Sequence, residues 1–250
     1  MQPEAGRYSF GGVGISCVDM ARAIDALFSM ANDRSGGYFA FTCAHGIVES
    51  QRDARLCAIL NGSRLTLPDG MPTVWLGRAK RCAIDRVTAP DFMETVLRDP
   101  RARSIRHYFY GGSPAALERI VARATDLVGA DAIAGACSPP LRPAGAMEDP
   151  AVIADIAARD PHVIWVGLGL PKQEYWMASH GELLPHSLMM GVGAAFDWFG
   201  GVQPRAPRAV QALGLEWLHR VASEPRRLGP RYASLVAPAL RIFARELMHR

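Results

Sequence analysis

The sequence predicts an α/β fold: a Rossmann-like, mostly parallel sheet with helices on both faces, followed by a helical, basic C-terminal appendage. Three observations carry this expectation. Short β-branched and aromatic runs alternate with helical patterns, as they do in βαβ units. The most distinct run, Val163 to Val166, is apolar throughout, which suits a strand buried on both faces. Several runs end in glycine-rich or Pro-Asp-Gly turns that lead directly into a helix, the setting in which parallel sheets bind ligands.

Along the chain, Gly11-Gly12-Val13-Gly14 reads as a tight turn before a short strand, since a dinucleotide fingerprint needs a third glycine that is missing here. Asp19 caps a helix through about Ser29, with Ile24, Leu27 and Phe28 on one face. Tyr38 to Thr42 is a strand and Ile47 to Leu60 a helix. Arg64 to Leu67 is a second strand, ending at Pro68-Asp69-Gly70-Met71-Pro72, with a helix from about Thr73. Pro90-Asp91 opens a helix that ends near Asp99. Ile105 to Tyr110 is a strand, Gly111-Gly112-Ser113-Pro114 a turn, and a helix follows to about Leu127. Asp131 to Ala134 is a strand and Pro150 to Ala158 a helix. After the strand at Val163, Pro171 opens a helix carrying Lys172, Gln173 and Glu174, and Ser187 to Gly191 is the last strand. The ends of five strands, at Thr42, Asp69, Gly111-Gly112, Gly167 to Gln173 and Gly191 to Gly193, are expected to converge on one crevice. The composition turns basic and helical at Arg205, which divides an α/β domain, residues 1–204, from an appendage, residues 205–250. Within the appendage, Pro225 and Gly229-Pro230 argue against a single continuous helix.

With 49% hydrophobic residues the chain can bury a large core, which argues against disorder. Residues 202–250 hold nine arginines against three glutamates, a net of +6, while the whole chain carries +4. Such a tail suits phosphate groups or an anionic membrane surface, and it also suits a merely solvated helix face. The five cysteines are scattered and form no C-x-x-C, so neither a disulfide framework nor a zinc ribbon is expected, and a reducing cytosolic setting is. No basic-then-apolar leader begins the sequence, and no run reaches the ~18 apolar residues of a membrane span. Membrane association would be peripheral.

Asp69, between a proline and a glycine, suits a general base and also a helix cap. Thr42 and His45 flank a strand end, and nothing nearby lowers the pKa of Cys43 enough to make it a nucleophile. Gly111, Gly112, Gly167 and Gly169 would let backbone N–H groups approach a ligand, or form ordinary turns. Gln173 can pair with an amide-like edge. Arg220, Arg227 and Arg231 offer forks suited to a diphosphate. There is no D-x-D, no metal-ligand cluster, no Walker A and no G-x-S-x-G, so no metal and no organic cofactor is expected.

Taken together, these residues resemble the bacterial WecG/TagA/CpsF glycosyltransferases, glycosyltransferase family 26, from about Gly11 to Tyr232. The most specific stretches are Pro68 to Pro72, Val166 to Glu174 and Gly191 to Asp197. Arg205-Ala206-Pro207, Leu215 to Arg220, Glu224 to Arg227 and Arg231-Tyr232 add to them. The resemblance implies an inverting, metal-independent enzyme that moves a sugar, in known relatives N-acetylmannosamine, N-acetylmannosaminuronic acid or a hexose, from a UDP-sugar to a polyprenyl-diphosphate-linked sugar at the cytoplasmic membrane face. It implies Asp69 as the catalytic base and Thr42, Cys43, Arg86 and Gln173 as substrate contacts. Arg220, Arg227 and Arg231 would hold the diphosphate and the membrane-bound acceptor. An anionic membrane surface is an expected partner, nucleic acid is not, and relatives suggest self-association. Cys43 stands where many relatives carry Asn, and Ala89 where a glycine is usual. A non-catalytic nucleotide-sugar-binding subunit is the alternative, and a dinucleotide-dependent oxidoreductase ranks below it.

Overall fold

The computed structural model describes residues 6–140, 143 and 145–248, with the backbone only for Ala212, Arg220, Arg227 and Arg231. Its strands are β1 (Arg7–Phe10), β2 (Val13–Ser16), β3 (Gly37–Thr42), β4 (Leu65–Pro68), β5 (His107–Gly111), β6 (Ile133–Cys137), β7 (Val163–Gly167) and β8 (Leu188–Gly191). The first six α-helices are α1 (Met20–Asn32), α2 (Ala44–Ser50), α3 (Ala54–Gly62), α4 (Met71–Ala79), α5 (Ala89–Arg98) and α6 (Pro114–Val128). They are followed by α7 (Pro150–Ala158), α8 (Lys172–His180), α9 (Ala195–Phe199), α10 (Arg208–Ala212), α11 (Glu216–Ser223) and α12 (Pro225–Met248).

Six strands form a parallel sheet in the order β4-β3-β8-β7-β5-β6, and β1 and β2 form a separate antiparallel hairpin. The predicted α/β class is what the chain adopts. Side chains alternate across the sheet with the period of two that a pleated strand imposes. Val163 and Trp165 of β7 join the core under α1, α5, α6 and α9, whereas Ile164 and Val166 join the core under α7 and α8. A third core gathers the hairpin, α2, α3, α4 and α12 around Ala40 of β3.

His107 is fully buried, its Nδ1 accepts from Trp165 Nε1 at 3.2 Å, and its Nε2 lies 3.0 Å from the Ala102 carbonyl. Those partners require a proton on Nε2 and none on Nδ1. Burial, first of all, pushes the imidazole pKa down to about 4, so the ring is neutral at ordinary pH.

Several local expectations change. The helix expected over Ile47 to Leu60 is two, because Asp53 caps a new start by accepting from Leu56 N–H at 3.1 Å. The strand expected at Asp131 lies at Ile133–Cys137, since a 3-10 turn occupies Ala130–Ala132. The Gly11-Gly12 turn holds, with φ of +58° and +81°, but it joins two strands, the first of which the sequence did not announce. Cys17 and Cys82 form a disulfide with Cα atoms 5.5 Å apart, against the expectation that the cysteines stay unpaired. The exits of β2 and α4 meet there, a proximity that spacing along the chain does not reveal. Finally, the appendage is not one continuous helix, as expected, since α11 ends at Ser223 and α12 starts at Pro225, but α12 itself runs unbroken through Pro230 and Pro238. Leu228, Leu235 and Ile242, seven residues apart, are buried on one side of it, and that packing outweighs the hydrogen bonds the prolines remove.

Gly167 and Phe196 illustrate how tightly the carboxyl edge of the sheet is packed. A Cβ on Gly167 would lie 2.3 Å from the Phe196 ring. Gly167→Ala should therefore destabilise the protein by about 1–3 kcal/mol in urea unfolding. A change of only a few tenths would mean that the ring shifts freely.

Candidate active site

The strand order brings the carboxyl ends of β4, β3, β8, β7 and β5 side by side, so the five loops expected to converge do lie along one edge. At one end is Asp69. Its backbone N–H donates to the Thr42 carbonyl at 3.0 Å, and Val87 N–H donates to the Pro68 carbonyl at 2.9 Å, which anchors the loop on both sides. Gly70 is required where the β3 and β4 loops touch, because a Cβ there would lie 2.9 Å from Cys43 Cβ.

Asp69 does not cap α4. The N-cap is Gly70, and no side chain caps that helix. The half-buried Asp69 carboxyl instead faces the start of α5 and the C-terminal helices. Burial pushes its pKa up to about 6, helped by the negative charge of Glu216 and opposed by the Ala89 N–H, Arg86 and Arg205. The group thus titrates close to neutrality, where a general base works best.

Two arginines frame it. Arg86 Nη2 donates to the Gln211 carbonyl at 2.7 Å, tying the loop before α5 to α10. Arg205 forks onto two carboxylates. Its Nε donates to Glu216 Oε1 at 2.9 Å, its Nη2 donates to Asp91 Oδ2 at 3.0 Å, and its Nη1 also donates to Asp91. Burial alone would raise the Asp91 pKa, but the Arg205 fork and the Thr88 hydroxyl outweigh it and hold the carboxyl below its ordinary value. Beside this cluster is a cavity of about 150 Å³ lined by Trp198, Gln203, Pro204, Glu216 and His219 among others. A broader hollow of about 550 Å³ along α2 and α3 touches none of these loops.

The other expected site residues have more internal duties. Thr42 is fully buried, and its hydroxyl has no hydrogen-bond partner among the described residues. Cys43 is the N-cap residue of α2 and lies outside any disulfide. The Gly111 and Gly167 loops pack against each other: a Cβ on Gly111 would lie 2.6 Å from the Gly167 carbonyl oxygen, which also accepts from Gly112 N–H at 3.2 Å. Of these four glycines only Gly169 would carry a Cβ into open space. Gln173 is buried, and its amide is fully engaged. Its Oε1 accepts from Gly169 N–H at 3.1 Å, and its Nε2 donates to the Gly191 carbonyl at 2.7 Å and to Glu174 Oε1 at 3.0 Å. This amide latches the β7 and β8 loops together across a cis Leu170–Pro171 peptide. The backbones of Arg220, on α11, and of Arg227 and Arg231, on α12, are placed, but their side chains lie outside the described residues.

Four charged residues were not given roles from sequence: Asp91, Arg205, Glu216 and Glu174. Arg205, Glu216 and Glu174 sit within the distinctive stretches, which is the signal that was present. Asp91 looked only like a helix start.

A parallel sheet of this Rossmann-like kind carries its ligand loops at the carboxyl edge, and here a titratable carboxylate stands among arginines at that edge. The chain matches the Glycosyl transferase WecG/TagA/CpsF family over residues 8–250 and belongs to that family. It is a glycosyltransferase of cell-surface polysaccharide synthesis. Membership implies, in general terms, a nucleotide-sugar donor and a lipid-linked acceptor.

Glu174 yields a stability test. Its carboxyl is fully buried with Oε2 unpartnered among the described residues, and burial pushes its pKa up to about 7 from 4.5. The folded state keeps a proton that the unfolded chain releases, so this contribution is full below pH 4.5 and is lost as pH rises through 7. Glu174→Gln should gain stability over the natural protein as pH rises, reaching roughly 2–3 kcal/mol at pH 8. Melting temperatures from pH 5 to pH 8 would read it, and a gap independent of pH would contradict it.

Proposed function

We propose that this glycosyltransferase moves a sugar from a UDP-sugar to a sugar on a polyprenyl diphosphate, with inversion and without a metal ion. The observation that supports this most is Asp69, a strand-end carboxylate that caps no helix and whose pKa lies near about 6. Asp69 takes the proton of the acceptor hydroxyl as that oxygen bonds to the anomeric carbon. The bond from that carbon to the UDP oxygen breaks on the opposite face, and UDP leaves with the electron pair. The leaving diphosphate is met by the guanidinium charges of Arg86 and of Arg220, Arg227 and Arg231. Thr42 and Cys43 lie beside Asp69 on the donor side. Gly111, Gly112 and Gly167 shape the floor, and Gln173 holds Gly169 at its rim. Residues 205–250 act as the unit that meets acceptor and membrane.

The enzyme works at the inner face of the cytoplasmic membrane as a peripheral protein. No helix among the described residues is long and apolar enough to cross a membrane. Leu213 and Leu218 are 69% and 48% exposed, and Trp75 on α4 is 53% exposed. Trp75 follows Met71 by one helical turn, and Met71 packs at Gly214, the residue after Leu213. With the arginines of the tail these apolar side chains make the mixed apolar and basic surface that binds anionic bilayers.

Two outcomes test these roles. Asp69→Asn should lower transfer by roughly two to four powers of ten while UDP binding by calorimetry is unchanged. In the natural enzyme the acid limb of kcat/KM should fall near about pH 6. Transfer at the natural rate by the variant would remove Asp69 from the chemistry. The double variant Leu213→Ser, Leu218→Ser should cut co-sedimentation with anionic vesicles by about tenfold or more, given ~1.5–3 kcal/mol per buried leucine. Unchanged sedimentation would place the membrane contact elsewhere.

A further inference from the structure

Arg205 is separated by 114 residues from one of its partners and by 11 from the other. Asp91 sits in the first turn of α5, and Glu216 opens α11. The guanidinium is half-buried between them and lies 5.9 Å from the centre of the Trp198 ring. Only a planar fork reaches two carboxylates at once in this way, and a lysine would satisfy one. Polar ties between the C-terminal helices and the loops around Asp69 include this fork and the bond from Arg86 to the Gln211 carbonyl.

We propose that Arg205 is a positioning residue for the transfer reaction: by bridging Asp91 on α5 to Glu216 on α11, it seats the C-terminal helices against the Asp69 loop and balances the charge that faces that carboxylate. This rests on the assignment of Asp69 as the base. The charged groups facing Asp69 are Arg86 from the loop before α5, Arg205 from the loop after α9, and Glu216 from α11, together with the Ala89 N–H. Removing the Arg205 cation leaves Glu216 unneutralised beside a carboxyl that must itself ionise. Like charge disfavours ionisation, so the base becomes harder to generate at neutral pH. A clamp with only a structural duty would change stability and leave the titration of Asp69 where it was.

The test needs no substrate, so its result is separate from whether UDP-sugar transfer is observed. The Asp69 carboxyl is followed by carbon NMR in full-length protein labelled at aspartate, with Asp69→Asn assigning the resonance. Backbone hydrogen exchange reports the seating of α10 and α11. Arg205→Met should move the Asp69 midpoint upward by about one pH unit and speed exchange in α10 and α11 at least tenfold. Glu216→Gln on that background should bring the midpoint back down. Arg205→Lys keeps the charge but not the fork, so it should speed exchange in the same helices with a midpoint near the natural one. An unmoved midpoint in Arg205→Met, or natural exchange rates in either variant, would overturn the proposal. Should Arg205→Met fail to fold, Arg205→Gln takes its place with the same criterion, an upward shift of the Asp69 midpoint.

Discussion

Parallel strands place all their carboxyl ends at one edge of a sheet, and the helices that connect them must cover both faces. Nearly everything distinctive about this chain follows from that geometry. The order β4-β3-β8-β7-β5-β6 puts β3 between β4 and β8, so Thr42 lies between Asp69 and the Gly191 loop. Chain segments far apart in sequence become consecutive along one edge.

Filling that edge demands close contact, and small residues supply it. Gly70 permits the approach of Cys43, and Gly167 permits the approach of Phe196. Gln173 gathers three partners from two loops, which makes it the organiser of the β7 and β8 ends. Its neighbour Glu174 carries the cost of being buried beside it, and burial accordingly favours its protonated form. Asp69 is treated differently: burial raises its pKa, but Arg86, Arg205 and the Ala89 N–H offset part of the rise. The two desolvated carboxyls thus differ in what faces them: cations and an N–H for Asp69, and no cation for Glu174.

Much of the fold was legible in the sequence because β-branched runs, caps and Pro-Gly punctuation are local signals. Asp19, Thr88 and Ser113 all cap helices through their side chains, and Pro150 opens α7. Legibility failed where tertiary contact overrode local preference. The helix α12 passes through two prolines because Leu228, Leu235 and Ile242 are buried on one side. The Cys17–Cys82 pairing and the β1 strand depend on partners remote in the chain. In the site, the family stretches pointed to Asp69 and its surroundings, and the strand order agrees with their convergence. They did not distinguish glycines that would face a ligand from glycines that pack: Gly167 meets an aromatic ring, whereas Gly169 faces open space.

By itself the sequence determined the α/β class, the alternation of strands and helices, the family, and Asp69 as the residue to watch. Those depend on periodicity, on turn chemistry and on short motifs, all of which are written locally. Only the tertiary structure decided that Asp69 is no helix cap, that Gln173 is an internal latch, and that Arg205 joins Asp91 to Glu216. Each of these is a contact between segments brought together by the strand order, and a carboxylate's pKa depends on whatever charges and N–H groups the fold places around it.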